Sequence, residues 1–434
     1  MFSKVMLLLA TPALLAAQQV TDTTFHPISV NEAVRLAREN NVSNITAENA
    51  IRTANNNVRS ARAAMIPTLN ASAGQSKSAG QRVGPGNQLI DYVPAWSYNT
   101  GLNSQITLFD AGKMFADIRT QKANVAAQQA SAVNTEYNVS LQVKQAYNAI
   151  LAAKESEGAA RAQLEAAQLQ LQQSIARVKA GAANVSDSLR SVVQVGNAQL
   201  ALLTAQNAYR TQTAALTRLV GTPYFVTADP ADTVGHPVAP IDSTQIMQLA
   251  LEGPAIRQLQ AQLNANRAAE KSAKTAYLPT VTANLSYSGS GTHALYGLNS
   301  NPYPYTRGIS LSLNYPIFNR FTRENNIAAA EISYQNTQAQ LRDANLAAQQ
   351  SIITDLATLR NAEETMRVQQ INVQASEEDL RVQQQRYNLG ASTLLDVLNS
   401  QTALVTARQQ LIQARLNYRN ARAQIEAVIG RDLP

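Results

Sequence analysis

The chain of 434 residues has no cysteine. A disulfide framework, a thiolate nucleophile, a cysteine metal site and a cysteine-linked lipid anchor are therefore excluded. Aromatic residues make up 5% and charged residues 15%, while Ala, Gln and Asn fill much of the remainder. That composition is too thin in bulky side chains for several thick cores and too periodic for disorder; it suits closely packed small-residue helices. The formal charge is +7, but the basic residues are scattered along the chain, which argues against nucleic acid as a partner. No run beyond the N-terminus approaches the ~18 apolar residues of a transmembrane helix, so any membrane passage must use strands. The three histidines, His26, His236 and His293, fall in stretches that read as loops or linkers. None has metal-ligand spacing with another or a recognisable triad partner. The sequence thus offers no catalytic residue, no metal site and no cofactor, and it does not read as an enzyme.

What is present is a two-faced strand, repeated. Along Trp96–Phe109, Trp96, Tyr98, Thr100, Leu102, Ser104, Ile106 and Leu108 alternate with Ser97, Asn99, Gly101, Asn103, Gln105 and Thr107. A strand sends successive side chains to opposite faces, so one face is mostly apolar and the other small and polar. The same pattern recurs with Val281, Ala283, Leu285 and Tyr287, and with Ile309, Leu311, Leu313 and Tyr315. Thr68–Ser76 is a weaker version.

In chain order, residues 1–17 read as a secretory signal: Lys4, an apolar run Val5–Leu15, then Ala16-Ala17. Residues 18–221 form a first repeat. A helix from Ser29 to about Met65 opens on a capping-box spacing, Ser29 to Glu32. Strands at about 68–78 and 96–109 follow, separated by a Gly/Pro/Asn-rich loop near 79–94. A long helix near 113–179 turns at Gly181 into a second helix near 185–219. Residues 222–242, with four prolines, read as a linker. Then the order restarts over 243–434: a helix broken or kinked at Gly253-Pro254, strands near 280–288 and 307–318, a long helix near 320–389 and a hairpin helix near 393–429. Phe109 and Phe318, Gly181 and Gly390, Asp187 and Asp396, Tyr209 and Tyr418, and Gly221 and Gly430 are each 209 residues apart. The chain is a duplicated helix–strand–strand–long helix–helix unit.

Four amphipathic strands cannot close a membrane barrel, which needs at least about eight. Either the sheet is not in a membrane or several chains share one barrel. The barrel reading turns Trp96, Tyr98, Leu102, Ile106, Leu108, Leu285, Tyr287, Ile309, Leu311, Leu313 and Tyr315 toward lipid and the Ser/Thr/Asn face toward a wet lumen. Two other readings stand beside it. One is an exported soluble coiled-coil scaffold; the other is a carbohydrate- or peptide-binding protein using Tyr296, Tyr303 and Tyr305.

Nearly the whole mature chain resembles the TolC-like outer-membrane factors of bacterial export systems. The resemblance rests on the twofold repeat and on a proline before each first strand, in Met65-Ile66-Pro67 and Tyr277-Leu278-Pro279. It rests also on the aromatic strand exits Leu108-Phe109-Asp110 and Tyr315-Pro316-Ile317-Phe318-Asn319, and on Arg386-Tyr387-Asn388-Leu389-Gly390 with its counterpart Arg177-Val178-Lys179-Ala180-Gly181. The resemblance implies a mainly α fold with a small β part, in which a trimeric β-barrel continues into a periplasmic α-helical barrel. It implies a homotrimer in outer-membrane lipid, serving tripartite efflux or type I secretion, with a periplasmic adaptor and, through it, an inner-membrane pump as partners. Gly181, Gly390, Arg177 and Arg386 would lie at the periplasmic tip that meets the adaptor.

The resemblance also implies gate residues. Asp396 and Asn399, three apart on one helix face, match a site that often carries two aspartates ringing the constriction; here the second is asparagine. The blander reading of Asp396 is a solvated carboxylate suited to a helix N-terminus. Asp187 and Tyr387 match gate residues in some members, but Ser392 stands where their arginine would be, so that salt bridge is absent or rebuilt. For Arg177 and Arg386, capping of a helix C-terminus is the simpler role.

Overall fold

The computed structural model describes residues 24–92, 96–181, 183–233, 243–293 and 304–433. The signal segment, His236, Tyr296 and Tyr303 lie outside them. The elements in order are β1 (His26–Ile28), α1 (Val30–Asn40), α2 (Val42–Ala63), β2 (Thr68–Ser76), β3 (Gly80–Val83), β4 (Leu89–Tyr92), β5 (Trp96–Phe109), α3 (Lys113–Lys179) and α4 (Val185–Val220). Then come β6 (Val226–Ala228), α5 (Ser243–Leu251), α6 (Pro254–Lys274), β7 (Thr280–His293), β8 (Tyr305–Asn314), α7 (Thr322–Asn388) and α8 (Leu394–Ile429). Among the described residues no helix is long and apolar enough to cross a membrane.

Helix ends follow local chemistry. Ser29 accepts a bond from the Glu32 N–H at 3.3 Å and starts α1. Gly221 and Gly430, with φ of 74° and 69°, end α4 and α8 in the left-handed conformation that costs glycine little. The first helical segment is not continuous. Asn41 turns extended (ψ 132°), its amide donates to the Leu219 carbonyl at 2.8 Å, and its side-chain oxygen caps Ser43 at 2.9 Å. Gly253-Pro254 does break the second. A Cβ on Gly253 would stand 2.3 Å from the Val428 carbonyl oxygen, so only glycine admits that approach.

The chain forms two compact units. The first comprises the described parts of Met1–Thr46, Thr135–Gly253 and Ala348–Pro434. One core there packs Ala33, Val34 and Ala37 of α1 on Val143, Tyr147 and Ile150 of α3, Leu216 and Val220 of α4, and the parallel pair β1–β6. The Tyr147 hydroxyl sits 2.5 Å from the Asp232 carboxylate and accepts the Asp229 N–H at 3.1 Å. Burial, then the bond to Asp232, pushes its pKa up. A second core joins Ile246 and Ala250 of α5 to Ile352 and Leu356 of α7 and Tyr418 and Ile425 of α8. Buried Glu426 is paired with Lys144 at 2.7 Å and Arg422 at 3.1 Å, as a buried charge requires.

The second unit comprises Ala47–Asn134 and Pro254–Ala347 and holds an antiparallel sheet of order β2-β5-β7-β8. Each half of the chain supplies two neighbouring strands, and β5 of the first half pairs with β7 of the second. Several sequence expectations change here. The stretch near 79–94 contains a ribbon, β3–β4, where a loop was expected. His26 and His293 lie in strands, not loops. β7 runs to His293, past Ser288, whereas β8 stops at Asn314 before Pro316, leaving Tyr315 outside it.

Candidate functional site

Register converts the alternation of single strands into two continuous faces, because cross-strand partners share a side. One face carries the rows Phe109–Val281–Leu313, Ile106–Ala283–Leu311, Leu69–Ser104–Leu285–Ile309 and Ala71–Leu102–Tyr287–Arg307. The opposite face carries Thr68–Gln105–Asn284–Ser310, Asn70–Asn103–Ser286–Gly308 and Ser72–Gly101–Ser288–Thr306. Leucine, isoleucine and valine are thus confined to one side, and Ser, Thr, Asn and Gln dominate the other. The apolar side is not covered: Ile309 is 82% exposed, Leu313 70% and Leu311 69%. β2 and β8 end the sheet with one unpaired edge each.

Two of the residues expected on the apolar face behave differently. The register slips between Thr107 and Phe109, a β-bulge that brings Phe109 opposite Val281 and leaves Leu108 without a partner. Phe109 therefore takes the place expected of Leu108. Tyr98 is on the expected face but is buried, 4% exposed, so it is not presented to solvent or lipid.

The hairpin turns of the first unit carry the other candidate residues. Gly181 (φ 72°) and Gly390 (φ 73°) both end their long helices in the left-handed region, and nothing within 4 Å would meet an added Cβ. Their neighbours differ. Arg177 crosses from α3 to α7: its guanidinium lies 4.4 Å from the Tyr387 ring centroid and donates to the Tyr387 carbonyl at 3.1 Å. Arg386, at the matching position, reaches only the Ala391 carbonyl of its own turn at 3.5 Å. Capping thus fits Arg386, while Arg177 ties two helices together. Tyr387 packs with Leu394 and Val397, and its buried hydroxyl has no hydrogen-bond partner.

Asp396 completes a capping box. Its carboxylate accepts the Thr393 N–H and hydroxyl, both at 2.8 Å, and the Thr393 hydroxyl accepts the Asp396 N–H at 3.3 Å. These bonds from Thr393 hold its pKa below the usual aspartate value. Asn399 is exposed like Asp396, whereas Leu394, Val397 and Ser400 are buried. Asp187 has the matching position in α4, but there Asn184 caps the Ser186 N–H at 3.2 Å instead. Among the described residues the Asp187 carboxylate makes no hydrogen bond or ion pair, so no link joins it to Tyr387. Ser392 donates to the Gln383 carbonyl at 3.3 Å. Sequence reasoning missed the Arg177–Tyr387 contact, whose only signal was the recurrence of arginine before each turn.

Comparison with known proteins agrees with this architecture. The chain is 24% identical over 385 residues to the outer membrane protein TolC of Escherichia coli (strain K12), covering 86% of this chain and 76% of TolC. It is 27% identical over 385 residues to the pyoverdine export outer membrane protein OpmQ of Pseudomonas aeruginosa, covering 85% and 76%. Its fold matches the open-state MtrE outer membrane channel of Neisseria gonorrhoeae with a TM-score of 0.72 at 20% identity, over 93% of this chain and 89% of that one. A family profile described as outer membrane efflux protein matches residues 33–222 and again 246–431, once in each half of the duplication. The chain belongs to the outer membrane efflux protein family, a TolC-like family of transport channels in the outer membrane.

Proposed function

We propose that three copies of the chain pair β8 of one with β2 of the next and close a twelve-stranded barrel, the outer-membrane channel of a tripartite efflux or type I secretion assembly. The observation that carries this is the four-stranded sheet with one exposed apolar face, one Ser/Thr/Asn face and two unpaired edges. In lipid every backbone N–H and C=O needs a partner, so an open sheet of four strands must be completed by other chains. The polar face then lines a wet lumen, and conduction through it is passive.

The hairpin turns form the gate in this proposal. Arg177 on Tyr387 is the latch, Asp396 and Asn399 line the constriction with Asp187, and Gly181, Gly390 and Arg386 belong to the tip that meets a periplasmic adaptor, itself joined to an inner-membrane pump. The capping box supports a double role for Asp396, since its carboxylate starts α8 while remaining exposed. The test is single-channel recording of purified protein in a planar bilayer, for wild type and Asp396→Asn. A cation-selective pore that loses selectivity in the variant is the expected result. Equal selectivity removes Asp396 from the constriction. A protein that stays in the soluble fraction and never conducts sinks the channel and restores the coiled-coil scaffold.

A further inference from the structure

The four strands of the sheet contain one Lys, Arg, Asp or Glu, namely Arg307. It falls on the apolar face, opposite Tyr287. A charge on the lipid side of a barrel is costly at mid-depth and close to neutral at the interface, so its depth is informative. Arg307 stands six residues from Leu313, ~20 Å along the strand, in the last row with large aliphatic neighbours, away from the end where the helices join. Beyond it the same face carries Gly289, Gly291 and Thr100. The aliphatic band therefore stops where the cation begins.

The cation is held by aromatic groups. Its guanidinium carbon lies 5.7 Å from the Tyr287 ring centroid. Tyr287 stacks on Tyr305 with centroids 4.9 Å apart and planes 7° apart. The stack depends on Gly289, where a Cβ would stand 2.7 Å from a Tyr305 ring carbon. Arg307 is exposed and, among the described residues, has no ion pair. At the same end of the sheet Lys77, one residue past β2, lies 5.7 Å from the Trp96 ring centroid. Both edge strands thus end in a cation set on an aromatic ring, and none of the four strands of this sheet carries an acid to neutralise them; Asp91, in β4 of the neighbouring ribbon, accepts from Gln81.

We propose that Arg307, with Lys77 as a weaker second contact, binds the phosphate headgroup of an outer-leaflet lipid whose acyl chains lie on the Leu285–Ile309 and Ala283–Leu311 rows. Arginine suits the role because its planar fork pairs with phosphate in bidentate fashion while its stem lies along apolar surface. The proposal rests on the barrel reading above.

The test uses native mass spectrometry of the detergent-purified trimer with bisphosphorylated lipid A, phosphatidylcholine or inorganic phosphate. The expected result is lipid A retained on the wild type, about tenfold weaker retention in Arg307→Gln, a smaller loss in Lys77→Gln, and recovery toward wild type in Arg307→Lys. Phosphatidylcholine is retained equally by all, and millimolar phosphate displaces nothing. Equal lipid A retention by wild type and Arg307→Gln overturns the proposal. Displacement by inorganic phosphate also overturns it, by making this a free-anion site. Recording the same preparations in phosphatidylcholine bilayers separates the two levels. A wild type that conducts there, together with lipid A retention undiminished in Arg307→Gln, defeats only the lipid site; a wild type that never inserts defeats the barrel and the lipid site together.

Discussion

The two hairpin turns share a backbone and differ in what they hold. Gly181 and Gly390 have nearly the same φ, and each starts a helix of the same length, Val185–Val220 and Leu394–Ile429. Yet the first turn sends Arg177 across to α7, whereas the second keeps Arg386 at home and closes its helix start with a full capping box. Duplication has therefore kept the turn, which is a backbone requirement, and let the side-chain duties separate. One turn is a clamp between helices; the other is a self-contained cap.

The largest expected difference is at the arginines. Losing a hydrogen bond to a carbonyl and a ring contact at a half-buried site costs ~1–2 kcal/mol. If that contact holds the closed tip, Arg177→Ala raises the open population by about 5–30-fold in single-channel records. Arg386→Ala, bound only to its own turn, changes open probability by less than about twofold on the same grounds. Equal effects at both positions would break the comparison. Next in size are the glycines. Gly181→Ala and Gly390→Ala each force a Cβ into left-handed backbone and cost ~1–2 kcal/mol, equally, as thermal denaturation would register. Unequal costs would show that the turns differ in backbone as well.

Smaller effects belong to the caps. Thr393→Ala removes the hydroxyl half of the box, leaving the backbone N–H of residue 393 on Asp396, and costs ~1 kcal/mol, as amide exchange in the first turn of α8 would register; Asn184→Ala costs a similar amount in the first turn of α4. The smallest concerns acid. The Asp396 carboxylate is held below its usual pKa by Thr393, so its stabilising contribution is complete above the ordinary aspartate value. It is lost as pH falls through the lowered value. Exchange near Thr393 should quicken on that acid limb in wild type and not in Asp396→Asn; an unchanged limb in the variant would assign it to another group.

Much of this was legible in the sequence because the signals are local. Period-two alternation located the strands, and Gly181, Gly221, Gly390 and Gly430 marked helix ends, since left-handed φ selects glycine. The misses have physical reasons too. A bulge inserts one residue without changing composition, so counting by twos placed Leu108 where Phe109 belongs. Asn41 breaks a helix without Gly or Pro because its amide finds the Leu219 carbonyl 178 residues away. The β3–β4 ribbon is too short and glycine-rich to show alternation. The partnership of Arg177 with Tyr387, 210 residues apart, exists only after folding. Asp396 was visible as an N-terminal acid, but which hydroxyl it would grip was not.

In the trimeric barrel proposed above, the pairing of β5 with β7 has a consequence for how the ring can evolve. Six identical half-chains would meet at six identical junctions, and a substitution that loosened one would loosen all. Fusing the halves in pairs makes alternate junctions internal, covalently tethered and free to diverge in sequence from those between neighbours. Three joints can then hold while three give way, which a ring of equals cannot do without breaking its own symmetry.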